Sequence, residues 1–358
     1  MFRITTRVLC PRMLELPSPS CCSTLLPKRH ADDSKNGRGS SSRVNSLKKY
    51  WFFRYVDYIK NYDKLLESKF PRSMHVYRIF SHGTREFYKD LKLYVQTIKK
   101  ARTSGVDSLS REELELSFKM PKDLIKISPV LLVSAVPFTN YIIFPLAFYF
   151  PHVLLTSHYW SIQDKLKFML KEHKRRLVHN KPLLRCMQRE VCKVHETRLQ
   201  AEFRDIVAHL GSGTHPKVQQ ILDCRQLFSG EPFSLSELTR KHVIELLKVH
   251  GLSRFGLRHR KRLLERGLLI KRMDTAIQRE GGVCKLPYDA IRWALSFRGV
   301  NPVNMSIDSM QVWLDQWLSI SAEVDENSIS LLLHCPILLA YNLETNWTLL
   351  YHGKKKHK

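Results

Sequence analysis

The feature that most constrains this chain is an interval free of charged residues, from Ile127 to Phe150. Seventeen of its 24 residues are apolar. A helix of that length reaches about 36 Å, which exceeds the roughly 30 Å hydrocarbon core of a bilayer. Lysines stand before the interval, and a run of lysines and arginines follows it. The sequence therefore predicts a transmembrane helix over 127–150.

Two prolines inside this interval, Pro137 and Pro145, affect the expected shape of the helix. Each lacks a backbone donor and should kink the helix, which a membrane tolerates where a neighbouring helix or water binds the freed carbonyl. Three structures fit: a kinked single span, a re-entrant hairpin and a buried helix of a soluble core. We predict a single Pro-kinked transmembrane helix. Because basic residues flank both ends, charge does not fix its orientation.

The N-terminal 50 residues have the composition of a targeting signal. They contain ten Lys or Arg, three acidic residues and eight serines. A basic, serine-rich and acid-poor composition is typical of a mitochondrial transit peptide, and the alternative is an ordinary disordered basic tail. We predict a transit peptide followed by a disordered linker over 1–45.

Residues 46–126 are predicted to form an N-terminal amphipathic helical segment. Apolar residues recur at helical spacing from Tyr50 to Lys69 and again from Met74 to Arg102. Two amphipathic helices packed on each other would explain this pattern. The alternative is that the second helix, whose polar side is rich in Lys and Arg, lies on a membrane surface.

Residues 160–345 are predicted to form a helical domain. They carry start and stop signals for roughly eight helices and little period-two alternation, so the predicted fold class is all-α. Ser234 and Glu237 match a capping box, Thr214 matches an N-cap, and Gly251 matches a helix stop. Tryptophans and leucines on one helix face favour a core cluster over a stacking platform: Trp313, Leu314, Trp317 and Leu318.

The charge balance predicts an anionic partner. Lys and Arg exceed Asp and Glu by 26, which favours nucleic acid, a ribonucleoprotein or phospholipid. The densest basic stretch runs over residues 254–272 and contains one acid, Glu265. It places Arg258, Lys261 and Arg262 on one helix face, which can bind phosphates. The alternative is a solvated helix face. A basic tail is predicted over 346–358. The candidate anion-binding residues are Arg254, Arg258, Arg260, Lys261, Arg262, Arg266, Lys271 and Arg272.

Recognisable catalytic and cofactor-binding patterns do not occur in the sequence. It has no phosphate-cradling glycine loop, zinc-protease motif, nucleophile elbow or CxxC pair. The eight cysteines do not have zinc-ligand spacing, and the histidines are scattered. We expect a non-enzyme without a metal, a cofactor or a small-molecule substrate.

Several blocks carry a family resemblance. The segment Pro137-Phe138-x-Asn140-Tyr141-x3-Pro145, followed by Pro151, resembles the membrane segment of the LETM family of mitochondrial inner-membrane proteins. Later blocks agree in order: Ile270-x3-Asp274-x2-Ile277-x2-Glu280, Ala294-x3-Arg298, Leu314-x2-Trp317 and Ser330-Leu-Leu-Leu333. The resemblance implies an inner-membrane anchor and a matrix domain that is all-helical, 14-3-3-like and of the ribosome-binding type. An outer-membrane or nuclear placement is less favoured.

Departures from the family's pattern separate two functional hypotheses. Larger family members, linked to proton-coupled cation exchange, carry an acidic residue soon after the proline that matches Pro145, and none occurs here from Leu146 to Phe150. The favoured hypothesis is a membrane-anchored adaptor that binds mitochondrial ribosomes and supports mitochondrial structure, translation and respiratory function. The alternative is a component of a cation or proton exchange system, built from homo-oligomers of the span.

Overall fold

Helices form the regular structure, as the apolar spacing predicts, and no strand occurs among the residues that the structure describes. The computed structural model describes residues 71–134, 146–147 and 149–351, with backbone alone for 71–77 and Ser134. The all-α class is confirmed for these residues. The helices are α1 Pro71–Ser104, α2 Arg111–Ser134, α3 Pro151–Leu154, α4 Ile162–Leu177, α5 Asn180–Glu190, α6 Thr197–Ser212, α7 Val218–Asp223, α8 Gln226–Ser229, α9 Arg240–Val249, α10 His259–Arg279, α11 Tyr288–Arg298, α12 Ile307–Glu323, α13 Ile329–Ala340 and α14 Glu344–Tyr351.

The main core surrounds α13, a helix in which every residue is buried. Helices α5, α8, α9, α10 and α12 pack against it. A helix that is apolar on all sides needs such an enclosed position. Trp313 and Trp317 lie in this core, where their ring N–H groups donate to the Leu339 carbonyl at 3.1 Å and to Asp274 Oδ2 at 3.0 Å. The predicted core role of these tryptophans is confirmed.

A second, smaller apolar cluster joins α1, α2, Ala147 and residues 154–159. Phe87, Met120 and Tyr159 are buried in it. Helix α1 spans 34 residues and includes the predicted second amphipathic stretch. The first stretch, like the predicted transit peptide, lies outside the described residues.

The predicted boundary between the N-terminal segment and the helical domain is wrong. Leu109 and Leu114 belong to the main core, and the Phe118 ring packs edge-on against Phe297 at 5.2 Å between centroids. Arg279 donates to the Asp107 carbonyl at 2.5 Å. The domain therefore includes the N-terminal part of α2, up to Phe118, whereas the prediction followed the onset of the charge-free interval rather than the start of the apolar stripe.

The predicted C-terminal boundary also needs correction. Residues 346–351 belong to α14 rather than to a tail. Asn346 is buried, its amide nitrogen donates to the Ala340 carbonyl at 3.0 Å, and its carbonyl oxygen accepts from the Asn301 N–H at 2.9 Å. Residues 352–358, which contain the tail lysines, lie outside the described residues.

Two of the predicted helix caps are wrong. Helix α9 begins at Arg240, where the Thr239 hydroxyl accepts from the His242 N–H at 3.4 Å, so Ser234 and Glu237 lie in the preceding turn. Thr214 donates to the His209 carbonyl at 3.1 Å and therefore closes α6 instead of opening α7. The helix stop at Gly251 is confirmed, since α9 ends at Val249 and this glycine has φ +65°.

The predicted membrane span falls partly outside the described residues. Helix α2 continues through Pro121 and Pro129 to Ser134, and α3 begins at Pro151. The motif residues Pro137, Phe138, Asn140, Tyr141 and Pro145 are not described. Within the part of the chain that is described, no helix combines the length and the apolar character needed to cross a bilayer.

Candidate anion-binding surface

The predicted basic patch consists of the loop after α9 and the length of α10. Gly251 turns the chain out of α9, residues 252–257 form the loop, and Arg258 precedes α10 in the left-handed conformation with φ 61° and ψ 45°. Such a conformation is uncommon for an L-residue other than glycine. The chain turns sharply at Arg258 and enters α10. The cations of the loop and those of the first turn of α10 therefore lie at the same end of the helix.

Three cations of this patch are exposed and carry no salt bridge among the described residues: Arg254, Arg258 and Lys261. The Arg254 guanidinium lies 4.9 Å from the centroid of the Phe255 ring. Exposed cations that no carboxylate neutralises are available to phosphate groups at little desolvation cost. These three residues form what we call the free cation set.

Other members of the predicted patch bind the protein itself. Arg260 donates to the Leu235 and Leu238 carbonyls at 2.9 and 2.8 Å. Lys271 donates to the carbonyl of Ser321 near the end of α12. Arg272 pairs with Asp107 at 3.3 Å. These side chains contribute positive potential, but their donors already stabilise turns and helix ends.

Arg262 holds the loop in place. One of its guanidinium nitrogens donates to the Ser253 carbonyl at 2.8 Å and to the Phe255 carbonyl at 3.2 Å. The helix face that the sequence predicts for Arg258, Lys261 and Arg262 therefore combines two free cations with one structural cation.

Arg266 does not belong to the exposed patch, and its prediction as a surface anion-binding residue is corrected. It is buried, its guanidinium lies 3.6 Å from the Phe297 ring centroid, and one nitrogen donates to the Phe297 carbonyl at 3.1 Å. Burial lowers the pKa of Arg266 well below its usual value. The position follows the buried stripe of α10, with Leu263 three residues before it and Ile270 four residues after it, and this spacing is a signal in the sequence.

Sequence reasoning missed a group of cations around the end of α11, in which Arg266 is buried and Arg176 is half-buried. Arg176 donates to the Val249, Ser296 and Phe297 carbonyls at 2.8, 2.9 and 3.3 Å. Carbonyls at a helix C-terminus carry partial negative charge and attract such cations. Burial, together with the nearby charges of Arg266 and Arg176, lowers the pKa of Lys122 to about 8.

Three residues from the family-like sequence blocks meet in one buried network. Arg298 forms an ion pair with Asp274, and the second Asp274 oxygen accepts from Trp317 Nε1 at 3.0 Å and from the Ser321 hydroxyl at 2.6 Å. The network links α10, α11 and α12. These blocks therefore specify packing of the domain, and they lie apart from the free cation set in the sequence.

A basic cleft of about 560 Å³ adjoins the loop after α9. Glu172 pairs with Arg175 at 3.4 Å, and Lys248 pairs with Glu245 at 2.9 Å. Cations outnumber acids in the cleft lining. Among the described residues neither Arg176 nor Arg254 forms a salt bridge, but Arg176 binds backbone carbonyls, whereas Arg254 is exposed. The lining residues are Glu172, Arg175, Arg176, His179, Lys248, Gly251, Leu252, Ser253, Arg254 and Phe255.

Metal-binding chemistry is absent from the described residues. They contain no group of three or more His, Cys, Asp or Glu side chains arranged to hold an ion. Of the cysteines that the structure describes, Cys186, Cys224 and Cys335 are buried and Cys192 and Cys284 are exposed, all as free thiols.

Comparison with known proteins identifies relatives across most of the chain. The family model described as "LETM1-like, RBD" matches residues 109–338, which begins at the first residue of the main core, Leu109. LETM1 domain-containing protein 1 of Xenopus tropicalis is 29% identical over 289 residues, covering 79% of this chain and 82% of the relative. The Homo sapiens and Bos taurus proteins of that name are 28% and 27% identical, each covering 78% of this chain and 79% of the relative. No solved structure matches the chain.

Proposed function

The chain belongs to the LETM1-like family, and from this premise we propose that it is a mitochondrial, membrane-anchored, non-catalytic adaptor whose basic domain binds mitochondrial ribosomes. The free cation set of Arg254, Arg258 and Lys261 is the observation that carries this proposal. A ribosome presents a dense array of RNA phosphates, and exposed cations recruit such a surface through counterion release. The proposed role is to hold translating ribosomes near the membrane, in support of mitochondrial translation, structure and respiration.

The ribosome proposal is tested by reversing the two free cations at the start of α10, Arg258 and Lys261. The variant Arg258→Glu/Lys261→Glu should lose co-sedimentation with mitochondrial ribosomes at moderate salt. The slope of log affinity against log salt concentration should become less steep by roughly 1 to 2. This is the change expected when two phosphate contacts are lost, at about 0.7 to 0.9 for each contact. Arg262 is left intact, because it binds the loop carbonyls.

A matched control reverses the same amount of charge elsewhere. Lys181 and Arg204 are exposed on α5 and α6 and form no salt bridge in the described part of the chain. The variant Lys181→Glu/Arg204→Glu should retain ribosome binding. An equal loss in both variants would mean that net charge, and not this surface, governs the association.

The membrane anchor is proposed to be residues 127–150, in the inner membrane and with the domain in the matrix. Exposed apolar side chains on both sides of the undescribed interval support this, since Leu132 is 73% exposed before it and Val153 is 64% exposed after it. Clustered apolar exposure of this kind needs a nonaqueous partner. The full chain should remain in the membrane pellet after alkaline carbonate, and a C-terminal tag should resist protease in intact mitoplasts.

A further inference from the structure

The loop between α9 and α10 has two large apolar side chains at its tip. Phe255 and Leu257 are 74% and 88% exposed. Gly256 between them has φ +107°, a conformation that favours glycine and reverses the chain at this point. Arg254 and Arg258 stand on either side of the tip. The result is an apolar pair framed by two free cations.

Side chains bind three of the loop's own carbonyls, those of residues 253–255. His259 Nε2 donates to the Arg254 carbonyl at 3.0 Å, and Arg262 binds the Ser253 and Phe255 carbonyls. The Phe255 N–H donates to the Ser253 hydroxyl at 3.1 Å. A backbone that enters an apolar medium must have its polar groups bonded within the protein. The carbonyls of residues 253–255 meet that condition, and these bonds fix the shape of the first half of the loop before any contact.

We propose that the 252–258 loop is a second membrane contact, in which Phe255 and Leu257 insert into the interfacial layer of an anionic bilayer. The flanking Arg254 and Arg258 then lie at the level of the lipid phosphates, next to the basic cleft. Insertion of apolar side chains combined with attraction of cations to anionic lipid is the general physics of peripheral membrane binding. The inference rests on the proposed membrane anchor, which keeps the domain close to the lipid surface.

For the apolar tip itself, Phe255 and Leu257, the observations favour lipid over RNA, whereas the cations beside the tip can meet the phosphates of either. An RNA surface offers phosphates to the arginines and could stack a base on Phe255, but it offers nothing apolar to Leu257. Two side chains also bury too little area for a stable protein interface, which needs about 800 Å² from each partner. A bilayer satisfies both the apolar tip and the cations at once.

Photocrosslinking of the full chain in mitochondria tests the inference. In one variant a benzophenone amino acid replaces Leu257. In a second, separate variant it replaces Val312, which is 57% exposed on α12. The expected result is a phospholipid adduct at position 257 and none at 312. An adduct to ribosomal protein or RNA at 257, or equal lipid adducts at both positions, would overturn the inference.

Carbonate extraction of the same samples separates this inference from the anchor. A chain that stays in the pellet but forms no lipid adduct at 257 contradicts the loop contact alone. A chain released into the supernatant contradicts the anchor and the inference together.

Reconstitution tests the role of charge. The full chain with benzophenone at 257 is placed in nanodiscs of phosphatidylcholine with or without phosphatidylglycerol. Anionic lipid should raise the adduct yield, and Arg254→Gln or Phe255→Ser should each lower it by roughly three- to tenfold. Equal yields from both lipids and all variants would overturn the proposed insertion.

Discussion

Two buried histidines share a hydrogen bond that cannot form when both rings are protonated. His242 Nε2 and His334 Nε2 are 2.8 Å apart, and His334 Nδ1 donates to the Ser330 carbonyl at 2.7 Å. In a neutral His334 the Nε2 atom must then accept, so His242 Nε2 donates. Burial lowers the pKa of His334 to about 4 and that of His242 to about 2.

These histidines should make the protein acid-sensitive. In the unfolded chain they take up protons below about pH 6.5, whereas the folded protein excludes those protons until the pH falls below about 4, so unfolding binds protons in that window. His173, whose pKa burial lowers to about 3, acts in the same direction. Stability is therefore complete above about pH 6.5 and decreases from there towards pH 4.

Denaturation of the detergent-solubilised chain at pH 7.5, 6 and 5 measures this effect. We expect a loss of roughly 1 kcal/mol per pH unit for each such histidine below about pH 6. A His209→Gln variant, which changes an exposed histidine, should show the same pH dependence as the parent. A flat stability between pH 7.5 and 5 would contradict neutral burial.

Two buried arginines should differ in how much stability the same substitution costs. Arg298→Met leaves the Asp274 carboxylate buried without its cation, and we expect it to cost about 3 to 5 kcal/mol of unfolding free energy. Arg266 faces no acid, and its Nε and Nη1 atoms lack partners among the described residues. Arg266→Met should therefore change stability by less than about 1 kcal/mol. Urea denaturation of the two variants checks the contrast, and a similar large loss in both would contradict it.

At the scale of the element, a glycine allows α1 to contact residues 157–159. A Cβ on Gly83 would lie 2.5 Å from Tyr159 Cδ1 and 3.0 Å from the His158 carbonyl oxygen. Next to it, the Thr84 hydroxyl lies 3.2 Å from the Tyr159 hydroxyl, within hydrogen-bond distance. Helix α1 and the turn at residues 157–159 can therefore approach this closely only because glycine has no side chain.

Gly83→Ala should therefore destabilise the protein by about 1 to 3 kcal/mol through overpacking. Gly211 in α6 provides the control, because a Cβ there would meet no atom within 4 Å. Gly211→Ala should instead stabilise α6 by about 0.5 to 1 kcal/mol. Thermal unfolding of both variants decides the matter, and a gain in stability for Gly83→Ala would refute the close contact.

The helices themselves could be predicted from sequence, whereas their exact starts could not. Apolar spacing locates α1, α10 and α12 because those stripes repeat over several turns. The start of α9 is ambiguous locally, since Ser234 and Thr239 both offer a capping hydroxyl within six residues. Packing decides it, because Phe233 is buried and its carbonyl accepts from the Ser330 hydroxyl at 2.5 Å.

At the scale of the whole molecule, the location of the basic patch was predictable and its composition was not. The sequence shows that Lys and Arg are concentrated over residues 254–272. It does not show which of these side chains face the core and which bind backbone carbonyls. Arg266 and Arg262 differ by one turn of α10, yet one is buried between aromatic rings and the other holds a loop. Those roles depend on α2, α11 and the loop, which only the folded chain brings next to α10.

The exposed apolar flanks of the undescribed interval permit a last prediction about how the molecule meets the bilayer. If Leu132 and Val153 face lipid, a lysine at either position carries a charge into or against the hydrocarbon, at a cost of up to about 3 kcal/mol near the centre of the bilayer. Leu132→Lys/Val153→Lys should therefore increase the fraction of the chain that carbonate extracts. Val312→Lys, at a similarly exposed apolar position on α12, should leave extraction unchanged. Extraction equal to that of the parent in both variants would place these flanks outside the membrane.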